Sequence, residues 1–519
     1  MSSSSPPGHP SHPESADDCI PLEKRTWRNV KKHAQNSDRI STLPDDILIK
    51  ILSLMTVREA ARTDVLSPRW RHLWENIDHL ILDMDTFGMQ VPANSDYHGN
   101  PDFLNSEATK FVNKVIGVLR HHKCNRIKKF EVKFPLSSVH ASELDRWVAF
   151  AATSGSEMVN FILSNYNGMV RLDTQHAKRY LFPLEHYVDL GGCQLRYIFL
   201  STCSFKTVPA NLIGFPYLVS LRLDFVKVVD EVLQSIISSC RALRQLYLGR
   251  CHKLINLRTS HAELLALGVH NCRRLLSISI HAEKLKHFSY MGNKVVNIEY
   301  ECAPVLCELN ALFLHGGEFP LECIGVCPEL KTLRLQFPSR LQVSRILHLS
   351  GRFTSLKEIM LCILTSWKKS IRFVPYLLKA ARLVERLELE VHGSLRPPKM
   401  LKIRWPKNFT PTRLHTIRIG GFSGESEMVQ LVFFLLSWSP MLKTLTIDTH
   451  PRNYVGYNKW KREESEDDAR SNYARDNYVG YSKWKREESE DDARSNYARD
   501  VVSTHLAPNV PCTVKLTIM

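Results

Sequence analysis

Apolar residues recur along this chain as L-x-x-L-x-L, with Ile, Val, Phe, Met or Tyr standing in for Leu. The densest run is Leu195-Ile198-Leu200, Leu218-Leu221-Leu223, Leu243-Leu246-Leu248, Leu264-Leu267-Val269 and Leu285-Phe288-Tyr290. Later come Leu330-Leu333-Leu335, Leu356-Ile359-Leu361, Val384-Leu387-Leu389, Leu414-Ile417-Ile419 and Leu442-Leu445-Ile447. Earlier and more widely spaced are Ile77-Leu80-Leu82, Ile127-Phe130-Val132 and Met158-Phe161-Leu163. Leu306-Leu309-Ala311 is the poorest match. Alternation inside each triplet predicts a short strand with its apolar residues on one side. One such strand cannot bury its face alone, so the units must stack. From Leu195 onward most units start about 21 to 30 residues apart, the span of one turn of a curved solenoid with parallel strands on its concave face.

The residues between the apolar positions then point away from the core. Candidate binding residues on that face are Arg222, Gln245, Tyr247, Arg334, Arg386, Glu388 and Arg418. The irregular spacing predicts loops and helices of varied size on the convex side. Asn105 to Arg120 and Ser142 to Ala152 carry apolar residues at helical period, and Glu427 to Ile447 pairs an apolar helix with a strand. Cys203, Cys251 and Cys272 each stand three residues after a triplet, where a small buried polar group bonds turning backbone.

Ahead of the first triplet the pattern is helical. Pro44 suits the first helical position, Asp45 and Asp46 complement the helix dipole, and Ile47, Leu48, Ile51 and Leu52 form one face. Thr56 to Glu59 reads as a capping box that starts a second helix through Ala60, Ala61 and Val65. Ser67-Pro68 predicts a third, carrying Trp70, Leu73 and Trp74. Each helix is too short to stand alone, and so small a bundle leaves apolar surface over, which marks a partner site.

LPDDILIKIL followed by REAARTDVLSPRWRHLW resembles an F-box, in the form common in plant F-box proteins with leucine-rich repeats. Two departures are Pro68, where the family usually has a basic residue, and Met55-Thr56, where it commonly has a Pro-containing turn. Residues 427–447 resemble the start of the FBD region found near the C-termini of many such proteins. The resemblance implies an α/β chain: a three-helix F-box at residues 37–76 and a leucine-rich-repeat solenoid over 77–425, then an FBD-like region over 426–519. It also implies that the F-box docks on a Skp-type adaptor within a cullin-based ubiquitin ligase while the solenoid binds a target protein. The residues that form or support that docking surface would be Leu43, Pro44, Ile47, Leu48, Ile51, Leu52, Val65, Leu66, Trp70, Leu73 and Trp74.

Composition changes this picture in few places. Residues 1–36 form a Ser/Pro-rich and basic leader without the apolar core of a secretory signal, and disorder is expected there. Residues 453–476 recur as 477–500 with one change, Asn458 to Ser482. So faithful and charged a repeat predicts a disordered insertion in the C-terminal region, between the strand ending at Ile447 and a last strand, Val514-Leu516-Ile518. Thirteen cysteines, an odd number, argue for reduced thiols in the cytoplasm or nucleus. No run of apolar residues reaches membrane-spanning length. No phosphate loop, metalloprotease motif or nucleophile elbow is present, so neither an enzyme nor a cofactor is expected. Cys323 and Cys327 have no second ligand pair, so no metal is expected either. The formal charge of +16 leaves an alternative open: a basic repeat scaffold for nucleic acid or an acidic partner, with a non-functional F-box. The basic residues are dispersed and lack interleaved aromatics, which argues against nucleic acid.

Overall fold

The computed structural model describes residues 40–89, 101–164, 178–187, 194–205, 215–292, 296–313, 327–337, 353–363, 367–371, 373–392, 413–450, 452–456, 459–462 and 488–519. The leader, Cys323 and most of the first 24-residue copy lie outside them.

Fifteen strands form one sheet in chain order, from His79–Asp83 to Lys515–Ile518, and every neighbouring pair is parallel. The triplets lie in register. Leu246 pairs with Leu221 on one side and Leu267 on the other, and Leu248 with Leu223 and Val269. Their side chains are buried along the length of the sheet. Each fully buried Leu contributes about 1.5–3 kcal/mol, and only because a neighbouring unit covers it.

Four successive strands end in a residue of left-handed conformation: Thr202, Phe225, Arg250 and Asn271, with φ between 49° and 60°. None is glycine, so each turn carries a local cost of about 1–2 kcal/mol. The N–H of each donates to a carbonyl near the end of the next unit's strand, as Phe225 does to Gly249 O at 2.7 Å, Arg250 to His270 O at 2.7 Å and Asn271 to Met291 O at 2.6 Å. The turn thereby extends the sheet ladder by one bond while it redirects the chain. Cys251 and Cys272 follow two of these turns. The Cys251 thiol donates to Gly249 O at 3.3 Å, and that of Cys272 to His270 O at 3.7 Å. Burial pushes the Cys203 thiol up to about 12, far from reactive thiolate. Every described cysteine is a free thiol.

The structure corrects the sequence reading in five places. The third unit is displaced by two residues: Val159 and Phe161 are its buried pair, and Phe161 lies level with Val132 and Leu200. Its first apolar position is taken by the buried Ser156, which disguises the triplet. The poorest match, Leu306-Leu309-Ala311, forms a full strand, Glu308–Phe313, because its neighbours supply the pairing. Three further parallel strands, Asn256–Ser260, Ser277–His281 and Asn297–Cys302, form a second sheet where only loops and helices are expected. Their signal is a second triplet inside the unit, Leu275-Ile278-Ile280 and, with the buried Thr259 in the last place, Leu254-Leu257-Thr259.

The fourth correction concerns the helical module. The helices α1 (Asp45–Leu52) and α2 (Val57–Arg62) form as read, and the Thr56–Glu59 capping box is complete. The third start gives turns and a 3-10 segment, Leu73–Asn76, not an α-helix. His72 takes a left-handed φ of 66°, which stops propagation, and Trp70 and Arg69 are tied back to Ser41 and Leu43 in the chain before α1.

The fifth concerns the duplicated segment. Glu488–Val501 is a helix, formed mainly by the second copy. Ala498, Val501 and Val502 are buried. Ser495 Oγ lies 2.7 Å from Thr449 Oγ1, and Tyr497 and Val501 pass so close over Gly424 that a Cβ there would sit 3.1 and 3.2 Å from them. Only the second copy is followed by Val501-Val502. The first runs into Asn477-Tyr478, so two segments that differ at one position have different anchors after them. Arg452–Gly456 and Lys459–Arg462 pair as an antiparallel hairpin at the start of the first copy. The last strand, Lys515–Ile518, pairs with Thr444–Asp448 across the whole insertion.

Candidate functional site

The helical module has an inside and an outside. Leu48 and Leu52 of α1 are fully buried, as is Ala60 of α2, and Trp70 and Leu73 are nearly so. Trp70 Nε1 donates to Ser41 Oγ at 2.8 Å. Arg69 donates to Asp45 at 3.0 Å and also bonds the carbonyls of Ser41 and Leu43. Leu43, Ile47 and Trp74 are half-buried, and Pro44 is exposed. Of the eleven residues read as forming or supporting the docking surface, Leu48, Leu52, Trp70 and Leu73 are thus internal.

Ile51, Val65 and Leu66 face solvent, and Val65 and Leu66 are 87% and 63% exposed. Leu54, 84% exposed, and Met55 join them from the turn after α1. Sequence periodicity passed over Leu54 and Met55 because they lie in the turn between helices, outside either apolar face. With Ile40, 56% exposed, these make six exposed apolar side chains among the described residues of so small a module, an unmet apolar surface.

The module is fastened to the first strand of the sheet. Asp78 N–H donates to the buried Ser53 Oγ at 3.2 Å, and Lys123 N–H to Glu75 O at 2.7 Å. Burial raises the Glu75 carboxyl, but the hydrogen bonds from Lys123 and His72 outweigh it and hold that group below its ordinary value. His122 is half-buried and bonds Ile77 O at 2.9 Å. These ties fix the exposed apolar side chains relative to the strands.

On the strand face the candidate residues divide by what they touch. Arg222 is sandwiched between the rings of Phe199 and Tyr247, at 4.5 and 4.6 Å. Tyr247 Oη lies 3.2 Å from His270 Nδ1, and His270 Nε2 lies 2.8 Å from Ser289 Oγ. Gly268 makes room for this row, since a Cβ there would sit 2.9 Å from the Tyr247 ring. Arg334 bonds Glu308 and Asn310. Arg418 bonds Glu390 at 3.3 Å and Asp448 at 2.6 Å, and both carboxylates are buried. Arg334 and Arg418, read as ligand-binding, are therefore largely engaged within the sheet. Gln245 and Arg386 are exposed, and Glu388 is half-buried.

Burial holds three histidines of the repeat region, His252, His270 and His392, down to about 4. In the unfolded chain they titrate near 6.5, so acid loads protons onto the unfolded state first. Their contribution is complete above pH 6.5 and is lost as pH falls from there towards 4. Thermal unfolding followed by circular dichroism is expected to show a melting temperature that drops across that window. Each histidine contributes a slope of up to about 1.4 kcal/mol per pH unit. A flat profile would show these imidazoles to be solvated.

Among the described residues no helix is long and apolar enough to cross a membrane, and no group of three or more His, Cys, Asp or Glu is placed to hold a metal ion.

Comparison with known proteins follows the same division. Residues 118–519 match the family model described as the At1g61320/AtMIF1 leucine-rich-repeat domain, and residues 40–82 match the F-box domain. The F-box/FBD/LRR-repeat protein At1g13570 of Arabidopsis thaliana is 26% identical over 434 residues, covering 80% of this chain and 92% of its own length. F-box/LRR-repeat protein At3g03360 of the same plant is 26% identical over 304 residues, 56% of this chain and 54% of its own. F-box protein At4g27050, also from Arabidopsis thaliana, is 28% identical over 233 residues, 41% of this chain and 45% of its own. The chain spans nearly all of the first relative and about half of the other two.

Proposed function

The chain belongs to the leucine-rich-repeat family of At1g61320/AtMIF1, with an F-box domain ahead of the repeats, and from this we propose that it is the target-recognition adaptor of a Skp-cullin-F-box type ubiquitin ligase. The observation that carries the proposal is the exposed apolar set Ile51, Leu54, Met55, Val65 and Leu66 on a module whose core is Leu48, Leu52, Ala60, Trp70 and Leu73. On this reading residues 37–76 dock on a Skp-type adaptor and through it on a cullin. The solenoid of residues 77–425 and the FBD-like region of residues 426–519 hold a target protein. The work is positional and needs no catalytic group: tethering raises the effective concentration of target beside the ubiquitin-loaded enzyme. Fastening between Ser53, Glu75 and the first strand and helix supports it, because a fixed angle between docking surface and strand face sets where the target is held. Activity in the cytoplasm or nucleus follows from the same partners.

Co-purification of the full chain with a plant Skp-type adaptor, at low and at high salt, tests the proposal. An apolar docking surface gives a one-to-one complex that persists in high salt. No complex at either salt, from a folded chain, would overturn the reading and promote the basic scaffold, whose binding falls steeply with salt.

A further inference from the structure

The parallel register draws together basic residues that lie far apart in the chain. The residue just before each strand donates its N–H to the carbonyl of the matching residue one strand earlier, so these positions form a hydrogen-bonded line along the entry edge of the sheet. Over seven neighbouring strands the line reads Arg196, Val219, Arg244, Leu265, Lys286, Cys307 and Lys331, with N···O distances of 2.8–3.0 Å. Basic and apolar residues alternate along it. The four basic residues are exposed, and the three between them are half-buried. Adjacent strands lie about 4.8 Å apart, so the cations recur about every 9–10 Å.

The ends of this line are neutralised within the chain, and its middle is not. Towards the first strand, Lys128 pairs with Asp78 at 2.5 Å and Glu157 with Arg126 at 3.2 Å; towards the last, Lys357 pairs with Glu385 at 3.6 Å. Among the described residues no carboxylate stands within ion-pair distance of Arg196, Arg244, Lys286 or Lys331. Glu263 lies near Arg244 but is bound by Lys284 at 2.5 Å. Glu308, beside the line on the strand face, is engaged by Arg334 and His287. The turns ahead of the seven strands add Arg241 and Lys284 against Glu263, Glu283 and Glu329, so six cations face three carboxylates and the stretch keeps a formal charge of +3.

We propose that Arg196, Arg244, Lys286 and Lys331 form a rail for an extended acidic segment of a partner protein, with a carboxylate at every third residue. A polyproline-type segment rises about 3.1 Å per residue and turns once in three, so every third side chain lies on one side at a spacing of about 9 Å, which matches the rail. Small apolar residues between the carboxylates lie against the half-buried Val219, Leu265 and Cys307. Charge complementarity steers such a segment and sets its register. A single-stranded nucleic acid fits less well. No aromatic side chain stands in the line, and the exposed Tyr197 and Tyr217 flank it only at the Arg196 end, so bases find no run of stacking surfaces. The rail deepens the target-recognition reading and rests on it only for naming the partner a target. Peptide binding needs no Skp-type adaptor, so the two fail separately.

Fluorescence anisotropy with the full chain tests it, using a labelled peptide of four Glu-Pro-Ala repeats, a peptide of the same composition with its glutamates consecutive, and an oligouridylate RNA. The spaced peptide is expected to bind at low salt, more weakly as salt rises, and at least about threefold tighter than the clustered one. Arg244→Gln combined with Lys286→Gln is expected to weaken it about tenfold. Lys253→Gln, beyond the exit end of the same strand as Arg244, is expected to leave it unchanged. All three side chains are exposed, so the variants keep the fold. Absence of binding by the spaced peptide, equal binding of the two peptides, or unchanged affinity in the double variant overturns the rail. RNA that binds tighter than the spaced peptide and is released by the double variant overturns it in favour of nucleic acid.

Discussion

Val65→Asp combined with Leu66→Asp is expected to abolish capture of a Skp-type adaptor and to leave the fold unchanged. Both side chains stand in solvent, 87% and 63% exposed, so the free chain loses no core when they become charged. Substitutions at such positions usually shift stability by no more than about 0.5 kcal/mol. In the complex the same side chains become the centre of an apolar contact, and two buried carboxylates without partners cannot be accommodated there. A loss of about 3 kcal/mol, or roughly a hundredfold in Kd, follows from the weight that central residues carry in interfaces. Trp70→Ala supplies the contrast. Its ring is buried and its Nε1 bonds Ser41 Oγ, so removal costs about 3–5 kcal/mol of folding and loses capture indirectly. Surface plasmon resonance for binding and circular dichroism for melting separate the two. Undiminished capture by the aspartate pair would place the docking surface elsewhere.

The second large effect lies at the far end of the sheet. Arg418→Leu is expected to destabilise the C-terminal units by about 3–5 kcal/mol, because it strands Glu390 and Asp448 in the interior. The three residues sit on three consecutive strands, Arg386–Val391, Thr416–Gly420 and Thr444–Asp448, so the arginine bridges its own neighbours. Gly420 leaves the space that Glu390 occupies: a Cβ there would collide with the Glu390 carboxylate. The triple variant Arg418→Leu, Glu390→Gln, Asp448→Asn removes the charges together and is expected to recover part of the loss, as neutral replacements of buried ion networks often do. Urea unfolding measures both variants. A single variant that melts like the parent would show the network to be hydrated.

Much of this protein was legible in its sequence. Triplets such as Leu243-Leu246-Leu248 must lie on one side of a strand because side chains alternate, and they can be buried only by stacking on a similar unit. The capping box at Thr56 to Glu59 is equally local: four residues contain both hydrogen bonds of the helix start. The family resemblance rests on residues of the same kind, apolar faces and helix starts at fixed separations.

What failed was context. Leu306-Leu309-Ala311 looks weak alone and becomes a strand because both edges are already paired. The two 24-residue copies cannot be told apart from within. The second gains its packed helix from Val501 and Val502, which lie beyond it. Val65 and Trp70 look alike in an apolar pattern, yet one is solvent-exposed and the other internal. Sequence by itself determined the helical module, the repeating strands and their burial faces, since those follow from periodicities of a few residues. Tertiary structure alone decided which apolar residues remain outside and which arginines are engaged with carboxylates of neighbouring strands. Those outcomes depend on residues brought together from separate repeat units, a distance over which local periodicity carries no information.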